Sequence, residues 1–567
     1  MSKRTTRCRS SNALFIKGSA LPLATCAPVL VTALAFMGCG GPADVEPDDA
    51  ACTMPGCHTG ASDSGASVAD AGNLDPAHAE GSVAENPAPG TSCVAAPGPD
   101  EPDDHFADTN CDGIDGDKSR AIFVAPMGSD AAAGSMDKPV KTIGHAMEVA
   151  VAAKKSIYVC NGSYAERIAL QTSAVSLYGG YDCAAGWRRT TDRAVIAPTQ
   201  GRALTIQSVT GPVQIDRLSF VAPDAAQNGE SSVAVWVADS SALKFTNDRF
   251  QAGNAGDGQP GAPVAADTAP PSKAEDGVSV LAPCGRWITT CQAGTGGHAS
   301  AGACSTGGPG GVGGDARRTP NWQPSGGGAG TPDGAPGGPP GFAGVVGSPG
   351  AAGAVGIRAA SGFGFLSGNG YEATNAGGAG GQGSIGHPGG GGAGGNTFWN
   401  GGNYDSAYVG AGGGQGGHGG CGGQGGKGGS GGGASIALVL YRSSATLSWC
   451  ALKTASGGAG GAPSYGAAGQ PGGQPGAGGS APGCGALPGC NGYSGGAGAR
   501  GGPGGAGGPG GGGPSIGIVA VGGAPEQDAL TFEIGSGGIG GRGVGSDGPV
   551  GMSSATLLID ADAGAAR

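Results

Sequence analysis

The sequence predicts an all-β solenoid interrupted by long glycine-rich excursions. Two observations carry this. Glycine supplies 128 and proline 40 of the 567 residues, while only 13% are charged and 5% aromatic, so a conventional core cannot run through the whole chain. A repeat also recurs at distant places. Residues 232–237 are followed by Ala242-Leu243-Lys244-Phe245 and a glycine tract from 252. Residues 435–440 are followed by Ala445-Thr446-Leu447 and a tract from 455. Residues 515–520 are followed by Leu530-Thr531-Phe532 and a tract from 535. Each copy alternates apolar residues at period two, turns, adds a second short strand and runs into glycine.

The first 39 residues read as an export signal. They carry five basic residues and no acid, and an apolar stretch over 21–37 is interrupted by Pro22 and Pro28. That is too short and broken for a transmembrane helix, which needs roughly 20 apolar residues. The stretch ends at Phe36-Met37-Gly38-Cys39, which resembles the lipobox of bacterial lipoproteins. The resemblance implies cleavage after residue 38, a lipid on Cys39, attachment to the membrane through it, and sorting to the outer membrane or cell surface. Phe36 departs from the usual leucine. Ala33-Leu34-Ala35 offers a competing cleavage site that would give a soluble secreted protein.

Residues 40–117 carry 17 acidic side chains and no Lys or Arg, and Lys118 onward is balanced at 25 of each sign. The acidity is thus local, which argues against nucleic acid as a partner. Residues 39–100, without an apolar period, are expected to be a disordered spacer. Residues 101–120 hold a candidate Ca²⁺ loop. Asp108, Asn110 and Asp112 alternate as oxygen donors before Gly113, Ile114 offers its carbonyl, and Asp115 and Asp117 add carboxylates. The acidic residue that closes an EF-hand loop is missing, since Ser119 stands there. The Asn110-Cys111-Asp112-Gly113 run resembles a metal-binding motif of bacterial surface proteins.

Sixteen cysteines in a chain with an export signal imply an oxidising compartment. Close spacing suggests Cys52/Cys57, Cys93/Cys111, Cys160/Cys183 and Cys484/Cys490 as pairs. With Cys39 lipidated and the two signal cysteines removed, an odd number remains, so one free thiol or one intermolecular bridge is expected.

From Ala121 the pattern is ordered: a strand over 122–124, a helix over 142–153 with Ile143, Ala146, Met147 and Ala150 on one face, and a strand over 156–159. Gly128-Ser129-Asp130, Lys138-Pro139, Lys141-Thr142-Ile143, Asn161-Gly162-Ser163-Tyr164 and Tyr178-Gly179-Gly180-Tyr181, with Trp187-Arg188, resemble the start of pectin-lyase-like right-handed parallel β-helix proteins. The resemblance spans about 121–250. It implies that the helix caps the open end of the solenoid and that coils slightly over twenty residues long would stack Cys160 on Cys183. The expected divisions are therefore 121–252 and 434–456 as β-helix, 253–433 and 457–513 as glycine-rich excursions, and 514–567 as C-terminal coils.

For the excursions three states are open: disordered loops, packed polyglycine or polyproline-II-type strands, or a partly collagen-like run, since Gly338 to Gly356 recurs every third residue. Irregular compact or mobile loops are the expectation. No catalytic residue is assigned. The paired carboxylates that a glycosidase needs occur only at Asp48-Asp49 and Asp103-Asp104, in the acidic stretch. Asp216-Arg217 and Asp248-Arg249 could form a lyase-type pair, but read first as turn residues. His298 and His418 read as isolated loop residues. The expected function is a non-enzymatic surface protein with a glycan or matrix ligand. The alternatives are an extracellular polysaccharide lyase or hydrolase, and an exported bulk matrix protein.

Overall fold

The computed structural model describes residues 93–171, 175–280, 284–285, 294–298, 309–316, 325–331, 333–396, 398–399, 406–482 and 489–560. After β1 (Ala121–Val124) and helix α1 (Ile143–Ala153), the chain winds through six coils of three strands each. The first is β2 (Ser156–Cys160), β3 (Ser163–Tyr164) and β4 (Ile168–Leu170). The second is β5 (Leu177–Asp182), with β6 (Arg188–Arg189) folded antiparallel onto it, then β7 (Ala194–Ile196) and β8 (Leu204–Gln207). The third is β9 (Val213–Asp216), β10 (Leu218–Val221) and β11 (Ser232–Ala238). The fourth starts with β12 (Leu243–Thr246) and β13 (Arg249–Gln251). Its third strand comes only after an excursion that holds short antiparallel strands: β14 (Cys284–Gly285), β15 (Phe365–Ser367), β16 (Gly370–Glu372), β17 (Phe398–Trp399) and β18 (Ser406–Tyr408). That third strand is β19 (Ser435–Tyr441). The fifth coil is β20 (Ala445–Ser448), β21 (Ala451–Lys453) and β22 (Ser515–Val521). The sixth is β23 (Glu526–Asp528), β24 (Thr531–Glu533) and β25 (Ser553–Ile559).

Like strands of successive coils pair in parallel. Sheet 1 runs β1-β2-β5-β9-β12-β20-β23, sheet 2 runs β3-β7-β10-β13-β21-β24, and sheet 3 runs β4-β8-β11-β19-β22-β25. The chain is therefore a parallel β-helix. Period-two alternation sends one side-chain column of each sheet inward. In sheet 1 that column is Ile157, Leu177, Ile215, Phe245 and Leu447. In sheet 2 it is Tyr164, Ile196, Phe220, Phe250, Leu452 and Phe532, with the Phe220 and Phe250 rings stacked at 6.0 Å. Helix α1 buries Ile143, Ala146, Met147 and Ala150 in the same core. Thr142 caps its first turn by accepting from the His145 amide at 3.2 Å.

All three long excursions leave from one corner, between sheets 2 and 3: 252–434 in the fourth coil, 454–514 in the fifth and 534–552 in the sixth. The third excursion divides the segment expected to hold only C-terminal coils. A serine stands at the start of each of the last four sheet 3 strands, in register: Ser232, Ser435, Ser515 and Ser553. Their hydroxyls clamp the roots. Ser435 Oγ donates to the Gly253 carbonyl, Ser515 Oγ to Ala455 and Ser553 Oγ to Gly535, each at 2.8 Å.

The expectation of irregular loops is corrected here. The amides of Gly377, Gly380, Gly383, Gly386, Gly389, Gly392 and Gly395 donate to the carbonyls of Gly429, Gly426, Gly423, Gly420, Gly417, Gly414 and Ala411 at 2.8–2.9 Å. A bond every third residue is the signature of three-residue-per-turn, polyproline-II-type legs. None of the glycines in 377–395, 410–433, 457–479 or 492–513 has a positive φ. They are needed for closeness. A Cβ on Gly423 would sit 2.0 Å from the Ala467 carbonyl oxygen, and one on Gly498 would sit 1.9 Å from that of His418.

Glycine frequency reports how many neighbours a leg has. In 416–430 two residues of every three are glycine. Gly416, Gly419, Gly422, Gly425 and Gly428 press on carbonyls of 377–389, and Gly417, Gly420, Gly423, Gly426 and Gly429 on carbonyls of 461–473. The collagen-like run is a peripheral leg with one glycine in three. Gly347, Gly350, Gly353 and Gly356 donate to Ala497, Arg500, Pro503 and Ala506, while Val346 and Ile357 are exposed. One line of bonds crosses all three excursions at 2.8–3.0 Å: Gly551 donates to Gly538, Gly538 to Gly513, Gly513 to Gly458, Gly458 to Gly433, and Gly433 to Gly256.

Replacing Gly423 with valine should therefore separate two legs and cost about 3 kcal/mol, at the upper end of ordinary overpacking. Gln424→Ala, on an exposed neighbour, should be near neutral. Chemical denaturation, with amide exchange read over 409–433, distinguishes the two. Equal stability of both variants would mean that the legs do not need this contact.

Candidate functional site

The sharp turn from sheet 1 to sheet 2 places Arg217, Asn247, Trp449 and Ala529 in the left-handed region, with φ between 50° and 57°. For residues other than glycine this conformation costs about 1–2 kcal/mol each. The stacked amides help to hold it: Arg217 N–H donates to Thr246, Asn247 to Ser448 and Trp449 to Asp528. This corner carries Asp216, Arg217, Asn247 and Asp248, all buried.

The acidic segment before β1 lies over that corner. Arg189, on β6, has a fully buried side chain. Its Nη1 donates to Asp115 Oδ2 at 3.1 Å and to the Asp103 carbonyl at 3.0 Å, and its Nη2 pairs with Asp216. Arg217 Nη2 donates to Asp104 Oδ1 at 2.6 Å, and Asn247 Nδ2 donates to the same oxygen at 2.8 Å. The Phe106 ring lies 4.8 Å from the Arg217 guanidinium carbon. Tyr181 Oη donates to the Asp115 carbonyl at 2.8 Å. Three carboxylates thus meet two guanidinium groups. Burial raises Asp115 to about 6, outweighing the opposite pull of Arg189. Burial also lowers Arg217 to about 10, although Asp104 opposes this. Asp248 is fully buried and accepts from the Leu218 amide at 2.8 Å, and burial pushes its carboxyl well above the usual range. As arranged, these groups hold the acidic segment on the solenoid. Asp216 is 3% exposed and spent on Arg189 and Asn247, so no open acid–base pair faces solvent here.

The candidate Ca²⁺ residues separate into two groups. Asp108, Asn110 and Asp112 come together. Asp108 accepts from the amides of Asp112 and Gly113 at 3.0 and 2.8 Å, and Asp112 Oδ2 accepts from the Lys118 amide at 2.8 Å. The Lys118 ammonium donates to the Asp112 carbonyl, so a cation of the chain itself stands in the loop. Ile114 is packed among apolar side chains. Asp115 is turned to Arg189, and Asp117 caps the next turn by accepting from the Ser119 amide at 2.8 Å. Among the described residues no three His, Cys, Asp or Glu side chains are gathered as a metal shell. Asp115 and Asp117 are therefore engaged away from Asp108, Asn110 and Asp112.

Cys93–Cys111 and Cys160–Cys183 are disulfides, with Cα–Cα distances of 5.7 and 5.5 Å. Cys490 is also oxidised, but Cys484 lies outside the described residues. So do Cys39, Cys52 and Cys57. Cys450 is a free buried thiol, with its pKa pushed up by burial. The first bridge and the bond from the Ala96 amide to the Thr109 carbonyl tie residues 93–100, the end of the expected spacer, to the loop that follows. His418 is a buried residue inside the glycine bundle. Sequence reading missed Arg189, Asp104 and Phe106. A usable signal was an arginine pair beside a tryptophan in an otherwise neutral coil.

No protein-family model matches the chain, and no curated protein matches its sequence. Among solved structures it is similar to a rhamnogalacturonan lyase, at 18% identity over 23% of this chain and 36% of that one, with a TM-score of 0.19. It is also similar to a pectin methylesterase bound to a hexasaccharide, at 20% identity, and to pectin methylesterase PemA from Erwinia chrysanthemi, at 19% identity. Each of these pairings covers 23% of this chain and 46% of the other, with a TM-score of 0.16. The chain thus spans less than half the length of each. The β-helix itself stands on the strand pairings described above.

Arg189→Met should cost about 3–5 kcal/mol, because Asp115 and Asp216 would stay buried without their cation. Equilibrium unfolding at neutral pH measures it. The raised Asp115 pKa favours the folded state fully below 3.8, and this contribution is lost as pH rises to about 6. Asp115→Asn should flatten that part of the stability–pH curve. An unchanged slope between pH 4 and 6 would place the carboxyl elsewhere.

Proposed function

We propose that the chain is a non-enzymatic, lipid-anchored surface protein that displays a β-helix carrying a polyglycine bundle. The observation that supports this best is the state of the Asp216–Arg217 corner. Its charged groups are paired internally and covered by the chain's own acidic segment. The rest of the design serves shape. Three excursions stack on three successive coils and lock into one hydrogen-bonded body. In this reading Cys39 carries the lipid, the acidic stretch spaces the body from an outer membrane, α1 caps the first coil, and the displayed surface meets a glycan or matrix. Ca²⁺ enters the proposal only at Asp108, Asn110 and Asp112, where it would replace the Lys118 ammonium.

A second reading is favoured by one observation: an arginine and an aspartate stand together on the outer face of a β-helix. It makes the protein a polysaccharide lyase or hydrolase once the acidic segment moves away.

Protease shaving and fractionation of cells tests the first reading. Wild type should be membrane-bound and shaved, and Cys39→Ala should be released. Release of both forms would favour cleavage after Ala35 and a secreted protein. Purified protein should leave uronate polymers intact with or without Ca²⁺; cleavage lost on Asp216→Ala would establish the enzyme instead. Adding Ca²⁺ should raise the melting temperature of wild type but not of Asp108→Ala, and an equal response from both would remove the metal from this loop.

A further inference from the structure

Leg 342–358 spends two of its sides inside the glycine bundle. The carbonyls of every third residue from Phe342 to Ile357 accept from leg 377–395 at 2.7–3.1 Å. Its glycine amides, from Gly344 to Gly356, donate to leg 492–513 at 2.8–3.0 Å. The third side is open. Both non-glycine residues of every triplet from 342 to 358 are exposed. Phe342 is 64% exposed, Val346 61%, Val355 52% and Ile357 81%. No charged residue occurs from 334 to 357, and Arg358 ends the leg.

Another edge leg of the same bundle is different. Ala274 and Gly277 donate to Gln474 and Ala477, and the exposed residues beside them include Lys273, Glu275 and Asp276. Charges of that kind keep an edge from associating. A long uncharged edge rich in exposed valine, isoleucine and phenylalanine is instead a contact surface. Gly347, Gly350, Gly353 and Gly356 already press on carbonyls of 378–387, so a partner meets side chains rather than backbone.

The order of those side chains suits a second copy lying antiparallel. Size is symmetrical about Gly350. Ser348, Pro349, Ala351 and Ala352 are small at the centre, and larger residues stand toward both ends. A two-fold axis across the leg near Gly350 sets Val346 against the second copy's Val355. It sets Phe342 against the second copy's Ile357 and Arg358, where apolar surface and a cation both suit an aromatic ring. At about 3.1 Å per residue the leg is about 50 Å long, and with a width of about 10 Å the pair would bury about 1,000 Å² in total, the lower bound of a specific contact.

We propose that leg 342–358 is a self-association surface, through which two copies pair bundle to bundle in an antiparallel two-fold contact. The pairing does not depend on how the chain is anchored or on the Asp216–Arg217 corner.

The test is sedimentation equilibrium of the exported chain carrying Cys39→Ala, which keeps lipid out of the measurement. It should show a reversible monomer–dimer system. Val346→Lys should raise the dissociation constant about tenfold or more, because both symmetric contacts then bury an ammonium against Val355. Adding Val355→Glu to the same chain should restore the dimer, since each lysine then faces the second copy's glutamate. Tyr465→Lys, at an exposed residue outside the leg, should leave the dimer unchanged. The altered side chains are all exposed, so the melting temperature of the monomer should stay at the wild-type value. A monomer at every concentration, or a dimer that Val346→Lys leaves intact, overturns the proposal. Loss without rescue by Val355→Glu overturns the antiparallel arrangement. A monomeric chain that floats with phosphatidylcholine vesicles, and ceases to on Val346→Lys, assigns the leg to a lipid surface instead.

Discussion

The contact on which the molecule depends is the approach of one backbone to another with no Cβ between them. Extended legs bond only when a glycine faces the neighbouring carbonyl, because a methyl group there would lie about 2 Å from an oxygen, as at Gly423. Glycine is costly to order, since it has the most conformational freedom to lose. The opposing gain is a hydrogen bond at every third residue, repeated along legs buried among other legs. Each bond is worth little alone, and a single leg would have no reason to order. The bundle is therefore cooperative, and leg 409–420, buried throughout, is its interior.

The solenoid makes that cooperation geometrically possible. Parallel coils stack at the spacing of paired strands, so excursions leaving from one corner of three successive coils start already side by side. The fourth coil contributes several legs, among them 377–395 and 410–433, and the fifth contributes 457–479 and 492–513. The serines at Ser435, Ser515 and Ser553 fix where each leg begins. The same excursion also returns a hairpin to the solenoid. Phe363 and Leu366 pack with Trp236, Val439 and Val519 on the outer side of sheet 3, which is why those strands are apolar on both faces. The β-helix and the glycine tracts are thus one structure with two kinds of interior.

Two disulfides and the buried charge network lie at the first coils. The bridge Cys160–Cys183 staples the first two coils, and Cys93–Cys111 closes the acidic segment that lies over the second to fourth. That segment is held mainly by charge. Asp104 and Asp115 meet the buried guanidinium groups of Arg217 and Arg189, and a buried charge left without its partner is costly. An acidic stretch that looks like a solvated spacer in sequence therefore ends in a docked clasp.

Much of this was legible in the residues. Period-two alternation marked the strands of sheet 3, and the three copies recognised in the sequence are neighbours there, with Ser232 paired to Ser435 and Ser435 to Ser515. The helix over 143–153 followed from one apolar face, and two disulfides were suggested by spacing. These are local signals: a side chain's period or a short loop's closure is set by neighbours in the chain. What only the tertiary structure decided was which distant segments met. Gly423 faces Ala467 and Gly502, and Arg189 joins Asp115 to Asp216, across separations that no periodicity encodes. A glycine tract read alone is equally suited to a loop, a collagen strand or a packed leg, because its backbone has no preference until another backbone arrives. The sequence determined where closeness was permitted, and the stacking of the coils decided what came close.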